Sequence, residues 1–302
     1  IIVFLFTVVT SPFVVLFGPF NNVKRAVIGA ILQSRHPHYI TWLFNEDELQ
    51  SILGTVGVVK SQDLFKFNAR EDKTLNLEKI QSARYVGYIL EIPDPRRIQV
   101  GTAANIQEKG DTTSNIAKMN NAVAAINGGG FHDPNGTGTG RLPYGFIMQD
   151  GNYVIGKDVG PDEAVDFVGF TKQGNLIAGT YTKTELADMD AAEGITFGPP
   201  LIVDGQKMIT DGDGGWGIGP RTAIGQKKDG TVIFLVIDGR QPGYSTGATL
   251  RDVQDVLYEE GCYIAANLDG GSSTTLYYNG KVVNKPADLL GERMIPTAFI
   301  VE

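Results

Sequence analysis

Four short segments combine glycine with Asn, Asp or Arg, and each stands where an apolar run ends. The first is Asn127-Gly128-Gly129-Gly130-Phe131-His132-Asp133. Three successive glycines let backbone N–H groups approach a ligand or form an anion nest, although a bulge or sharp corner needs the same residues. The second is Gly219-Pro-Arg221-Thr222-Ala-Ile-Gly225. An arginine entering an apolar strand offers a planar fork that suits phosphate, or makes a structural ion pair. In the third, Thr231–Ile237 runs into Asp238-Gly239-Arg240. That run is β-branched and continuous, so the strand is expected to be central and Asp238 to sit at the rim of the core, where burial tunes its pKa. The fourth is Asn267-Leu-Asp269-Gly270-Gly271-Ser272-Ser273-Thr274, a carboxylate followed by a cradle of glycines and hydroxyls. Two carboxylates, at least two guanidiniums and a Gly/Ser cradle fit a substrate that carries sugar hydroxyls and a phosphate.

Hairpins are expected to position these groups. Turn residues separate apolar runs at Gln149-Asp150-Gly151-Asn152, Lys172-Gln-Gly-Asn175, Asp204-Gly205, Lys228-Asp229-Gly230 and Asn279-Gly280. Two helix–strand units interrupt them. Thr249 caps a helix to Glu260, with Leu250, Val253, Val256 and Leu257 on one face, and the strand Cys262–Asn267 follows. A weaker helix over Thr112–Asn121 precedes the strand Ala122–Asn127. The expected fold is α+β, with a largely antiparallel sheet, hairpins and two packed helix–strand units.

Residues 1–20 contain no charge, and a run of that length can span a bilayer core of ~30 Å. The expectation is a transmembrane anchor over 1–20, a helical connector over 21–78 and a catalytic domain over 79–302. The connector includes a short helix that Asn45 caps in a box with Glu48. The anchor implies a single-pass protein of the cell membrane with its catalytic domain extracellular.

The 302 residues carry 34 acidic and 26 basic side chains, a net charge of −8, which argues against nonspecific nucleic-acid binding. One cysteine excludes an internal disulfide framework and a CxxC metal site. Three histidines leave little for a histidine metal centre. Asp211-Gly-Asp213 and Asp133-Pro-Asn135-Gly-Thr137 space oxygen donors like calcium ligands, but Thr222 and Tyr144 stand where an EF-hand has its twelfth-position Glu. Solvated turns are the default there; Ca2+ is the one cofactor these loops leave open.

The order Asn127-Gly-Gly, Arg221-Thr-Ala-Ile-Gly, Asp238-Gly-Arg240, Asn267-Leu-Asp-Gly-Gly-Ser-Ser and Arg293…Pro296 resembles the phosphodiester glycosidase family. That domain occurs in the lysosomal uncovering enzyme and in bacterial proteins of exopolysaccharide biosynthesis, and the N-terminal region resembles a membrane-attached branch of the latter. The resemblance covers roughly residues 80–302. It implies a hydrolase that cleaves the C1–O bond of a sugar-1-phosphodiester, such as an N-acetylglucosamine-1-phosphodiester, in a glycan or envelope polymer. It further implies that Asp269, Asp238 and Arg221 are catalytic. Asn127, Gly128, Gly129, His132, Thr222, Arg240, Gly270, Gly271, Ser272, Ser273 and Arg293 would bind substrate. Gly130 departs from relatives that carry an aromatic there, and Ser272 from those with a third glycine. These departures motivate a noncatalytic glycopolymer-binding or exopolysaccharide assembly module as the alternative. A metal-dependent phosphodiesterase that cuts the P–O bond is a third reading.

Overall fold

The structure is a computed structural model that describes residues 2–32, 38–53, 60, 64–67, 71–133, 138–156 and 159–302. The chain begins with four helices: α1 (Ile2–Phe17), α2 (Asn21–Leu32), α3 (His38–Thr41) and α4 (Glu46–Leu53). It then enters β1 (Asn76–Gln81), β2 (Val86–Ile92), β3 (Ile98–Thr102), α5 (Thr113–Met119) and β4 (Ala124–Asn127). Next come β5 (Ile147–Gln149), β6 (Asn152–Ile155), β7 (Val165–Thr171), β8 (Leu176–Tyr181), α6 (Lys183–Asp188) and β9 (Ala191–Thr196). After β10 (Pro200–Val203) and β11 (Gln206–Lys207) run the long strands β12 (Arg221–Lys227) and β13 (Val232–Ile237). The chain closes with α7 (Leu250–Glu259), β14 (Cys262–Leu268), β15 (Leu276–Tyr278), β16 (Lys281–Val282) and β17 (Thr297–Val301).

The strands form three antiparallel sheets rather than one. The first has seven strands in the order β1-β2-β13-β12-β14-β10-β11, the second five in the order β16-β15-β4-β17-β3, and the third five in the order β6-β5-β9-β7-β8. Their inner faces share one core, in which Phe234 and Ile264 of the first sheet meet Ile126 and Phe299 of the second and Phe170 and Ile195 of the third. The other face of the first sheet is covered by Leu250, Val253 and Leu257 of α7, so β13 is buried on both sides. That double burial is why Val232–Ile237 reads as an unbroken apolar run instead of an alternating one.

All five expected hairpins form, with positive φ at Asp150 and Gly151, Gly174, Asp204 and Gly205, Gly230, and Asn279 and Gly280. Thr249 caps α7 in a box with Asp252, and Asn45 exchanges the expected reciprocal bonds with Glu48 at the start of α4. The two helix–strand units belong to different sheets: α5 leads into β4 of the second, and α7 into β14 of the first. Strand β1 starts at Asn76, three residues before the boundary expected at 79.

The transmembrane helix expected over 1–20 is not found among the described residues. Helix α1 has 16 residues, about 24 Å at 1.5 Å per residue, and no helix among the described residues is long and apolar enough to cross a membrane. Leu16 at the end of α1 packs with Ile28, Ile40, Phe44 and Leu49 of the connector.

Candidate active site

The ends of β4, β12 and β14 meet at one point, which an asparagine holds. Asn127 is fully buried. Its Nδ2 donates to the Asp269 carbonyl at 2.5 Å, and its Oδ1 accepts from the Thr222 hydroxyl at 2.7 Å and from the Thr275 N–H at 3.1 Å. The Asp269 N–H in turn donates to the Gly128 carbonyl at 3.0 Å. Asn127, Thr222 and Gly128 therefore shape the site and hold Asp269 in place. Gly129 likewise donates its N–H to the Thr297 hydroxyl at 3.0 Å.

Past Asp269 the chain turns sharply through a 3-10 turn, Gly271–Ser273. Gly271 has φ of +63°, a conformation costly for a side chain, and a Cβ there would lie 3.2 Å from the Arg240 guanidinium. A Cβ at Gly270 would lie 2.8 Å from the Pro220 carbonyl. The two glycines thus let the loop lie against β12 on one side and beneath Arg240 on the other.

Asp269 is the charged centre of this arrangement. Burial raises its carboxyl to about 6, against the lowering pull of Ser273, Arg293, the Gly270 N–H and Arg240. The Ser273 hydroxyl is buried and makes no well-formed hydrogen bond among the described residues; Ser272 beside it is half-buried. Loss of solvent and the nearby charge of Arg293 hold Arg240 below its usual value, with Asp269 opposing. Arg293 donates to Asp133 at 2.8 Å and lies 4.9 Å from the centre of the Phe131 ring. Two guanidiniums and one half-buried carboxylate therefore share a small volume.

Arg221 and Asp238, expected to be catalytic, are placed differently. Arg221 is 5% exposed and donates through Nε to the Ala248 carbonyl and through Nη2 to the Trp216 and Gly217 carbonyls. It is held down to about 10 by burial and by Arg240. These bonds make it a clamp on the 211–217 loop. Asp238 is 1% exposed and accepts from Asn284 Nδ2, the Lys285 N–H and the Tyr244 hydroxyl, all at 3.0 Å at their shortest. Burial raises its pKa against those bonds. A strand-end acid read from sequence as a reacting group is here fully hydrogen-bonded to the 284–285 segment, which no sequence signal had marked.

Tyr144 is a site residue that sequence reasoning missed. Burial raises its pKa, followed by the charges of Asp269 and Asp133. His132 is exposed, with its ring edge-on to Tyr144 at 4.5 Å between centroids. A Cβ at Gly130 would lie 2.8 Å from ring carbons of both Tyr144 and Phe197, so these rings occupy the space where relatives were expected to carry an aromatic. Tyr144 and Phe197 also line a cavity of about 520 Å³ next to the site.

Among the described residues no group of three or more His, Cys, Asp or Glu could hold a metal ion. Of the two calcium-like loops, Asp211 pairs with Arg25 and Asp133 with Arg293. Residues 134–137 of the second loop lie outside the described residues.

A family model described as phosphodiester glycosidase matches residues 120–302, and the chain belongs to that family. The SPbeta prophage-derived uncharacterized protein YomE of Bacillus subtilis is 29% identical over 239 residues, 76% of this chain and 35% of that protein. The N-acetylglucosamine-1-phosphodiester alpha-N-acetylglucosaminidase of Bos taurus is 24% identical over 233 residues, 69% of this chain and 42% of that protein. The chain thus spans less than half the length of these two relatives. Among solved structures, the zebrafish N-acetylglucosamine-1-phosphodiester alpha-N-acetylglucosaminidase catalytic domain, auto-inhibited by its pro-peptide, superposes with a TM-score of 0.65 at 23% identity. The match covers 78% of this chain and 86% of that one. A putative exported protein of Burkholderia pseudomallei gives a TM-score of 0.54 at 17% identity, over 72% of this chain and 74% of that one. At these identities the structural matches speak to fold.

Proposed function

We propose, with membership of the phosphodiester glycosidase family as the premise, that this chain hydrolyses a sugar-1-phosphodiester at its C1–O bond. The observation that carries the reading is the position of Asp269, half-buried at the entry to the Gly271–Ser273 turn and within the charge fields of Arg240 and Arg293. Breaking the C1–O bond builds positive charge on the sugar and leaves the bonding pair on the phosphate. Asp269, ionised above about pH 6, is suited to attack C1 or to take the proton of the attacking water. Phosphate leaves without strong protonation, and Arg240 and Arg293 are suited to receive its growing charge. The same two cations keep Asp269 more ionised than burial alone would leave it. Asn127 and Gly128 act as positioning residues through the Asp269 backbone.

The bovine relative acts, by its name, on an N-acetylglucosamine-1-phosphodiester, and that substrate class comes first. We place the reaction outside the cell on envelope or exopolysaccharide polymers, in keeping with the uncharged apolar N-terminus and single cysteine. The test is release of free reducing sugar from UDP-N-acetylglucosamine and from teichoic-type phosphodiesters, followed by mass spectrometry. No sugar across the panel, or full turnover by Asp269→Asn, refutes the proposal; release of sugar phosphate instead identifies P–O cleavage.

A further inference from the structure

We infer that the cavity beside Asp269 is a second sugar-binding subsite, walled on one side by the N-terminal helices; its link to turnover rests on the glycosidase reading above. Its volume of about 520 Å³ is of the size that encloses a small ligand. Leu32 of α2 and Leu53 of α4 form one wall, facing Trp216, Phe197, Tyr144 and Asp166 of the β domain. The Trp216 and Phe197 rings meet edge to face at 6.1 Å, which fixes the indole as a platform. Asp166 accepts one hydrogen bond at Oδ1, from the Thr180 hydroxyl at 2.7 Å, and a carboxylate has further lone pairs to offer. A fixed aromatic face with a carboxylate at its edge matches a pyranose, which has an apolar C–H face and hydroxyl donors around its rim. Among the described residues the lining contains no Lys or Arg to set against Asp166, which favours a neutral ligand there over a second phosphate.

The helices are seated closely enough to serve as a wall. A Cβ at Gly29 would lie 2.6 Å from the Gly215 carbonyl, and one at Gly217 would lie 2.6 Å from the Ala26 carbonyl. Arg25 Nε donates to the Ile52 carbonyl at 2.6 Å, tying α2 to α4, and Arg25 lies 3.5 Å from Asp211. The docked loop is the one clamped by Arg221 through Trp216 and Gly217. The helices therefore hold Leu32 and Leu53 in place as one wall of the cavity. Gly198 and Pro199 of the lining accept hydrogen bonds at 3.0 Å from the Asn267 side chain and N–H, two residues before Asp269, and so join this subsite to the reacting centre.

The test uses the full chain and two probes: the methyl diester of N-acetylglucosamine-1-phosphate, and the same diester with a hexose in place of methyl. Trp216→Ala is expected to lower the kcat/KM ratio of the hexose probe to the methyl probe about tenfold. Gly29→Leu, which lifts α2, lowers the same ratio, and Leu53→Asn replaces it if that variant does not fold. An unchanged ratio in Trp216→Ala overturns the subsite. A rise in activity on both probes when α2 is lifted overturns the wall and identifies the helices as a plug. Binding is read independently of turnover. The chain has two tryptophans, so in a Trp42→Phe background the fluorescence of Trp216 reports alone. Saturable quenching by a neutral hexose disaccharide supports the subsite, even if neither probe is hydrolysed and the glycosidase reading fails. Hydrolysis of both probes with no saturable quenching sinks the subsite and leaves that reading intact.

Discussion

The Asn127 side-chain amide donates to the main-chain carbonyl of Asp269 at 2.5 Å, joining the ends of two strands that lie in different sheets. The second lone-pair acceptor set, on Asn127 Oδ1, fastens Thr222 and Thr275 to the same point. One buried side chain thus fixes where the main chain of Asp269 stands.

Asn127→Ala leaves the Thr222 hydroxyl and the Thr275 N–H without their acceptor in a buried place. The expected cost is about 2–4 kcal/mol of stability, measured by urea denaturation. The folded fraction should lose kcat more than it raises KM, because the misplacement concerns Asp269 rather than a substrate contact.

The pH response of Asp269 has a definite sign. The folded carboxyl holds its proton up to about pH 6, whereas the ordinary value is 3.8. Between those values the folded state binds more protons than the unfolded state, so this group's contribution to stability falls as pH rises, by about 3 kcal/mol at most. Activity should rise over the same range with an apparent pKa near 6. Asp269→Asn is expected to flatten the stability profile and raise the melting temperature at pH 7, while turnover falls by about 10³-fold or more. Paired thermal scans and pH–rate profiles check both limbs, and a variant that is inactive and also less stable at pH 7 contradicts the assignment.

Removing either guanidinium has two readouts. Arg240→Ala and Arg293→Ala should each weaken binding of the phosphodiester about 10–100-fold, as expected for a lost charged hydrogen bond. Because both cations lower the Asp269 pKa, each variant should also move the acid limb of the pH–rate profile upward. A loss of rate with an unmoved limb would place the arginine elsewhere.

Arg221 should behave as a clamp. Arg221→Lys keeps the charge but cannot reproduce the fork that reaches the Ala248, Trp216 and Gly217 carbonyls. A cost of about 2–3 kcal/mol is expected, visible as a melting temperature several degrees lower. Its KM for the short methyl diester should rise less than that of Arg240→Ala.

Much of this architecture is legible in the sequence because its signals are local. Asn-Gly and Asp-Gly pairs need positive φ whatever surrounds them, and Thr249 with Asp252 closes a capping box within four residues. The continuous apolar run into Asp238 placed β13 at the centre of a sheet for the right reason. What the sequence hides is long-range. Asp238 and Asp269 look alike at their strand ends, and only the return of residues 284–285 to Asp238 separates a hydrogen-bonded carboxylate from one facing two arginines. Arg221 likewise reads as an anion ligand until the 211–217 loop folds over it. Ile1–Phe20 has the composition of a membrane span, while the helix described there covers Ile2–Phe17 and its Leu16 packs with Ile28, Ile40, Phe44 and Leu49 in a small apolar cluster that no local signal announces. Tyr144 lies in no glycine-rich motif and enters the site because residues 142–144 pair back on 130–132, with the Tyr144 N–H donating to the Gly130 carbonyl.

Rings from positions 144 and 197 stand where a side chain at 130 would have reached. The glycine is thus half of a shape whose other half comes from two distant stretches of the chain. The three positions form one unit for any redesign: enlarging residue 130 calls for a smaller side chain at 144 or 197, and trimming either ring opens room that only residue 130 can refill.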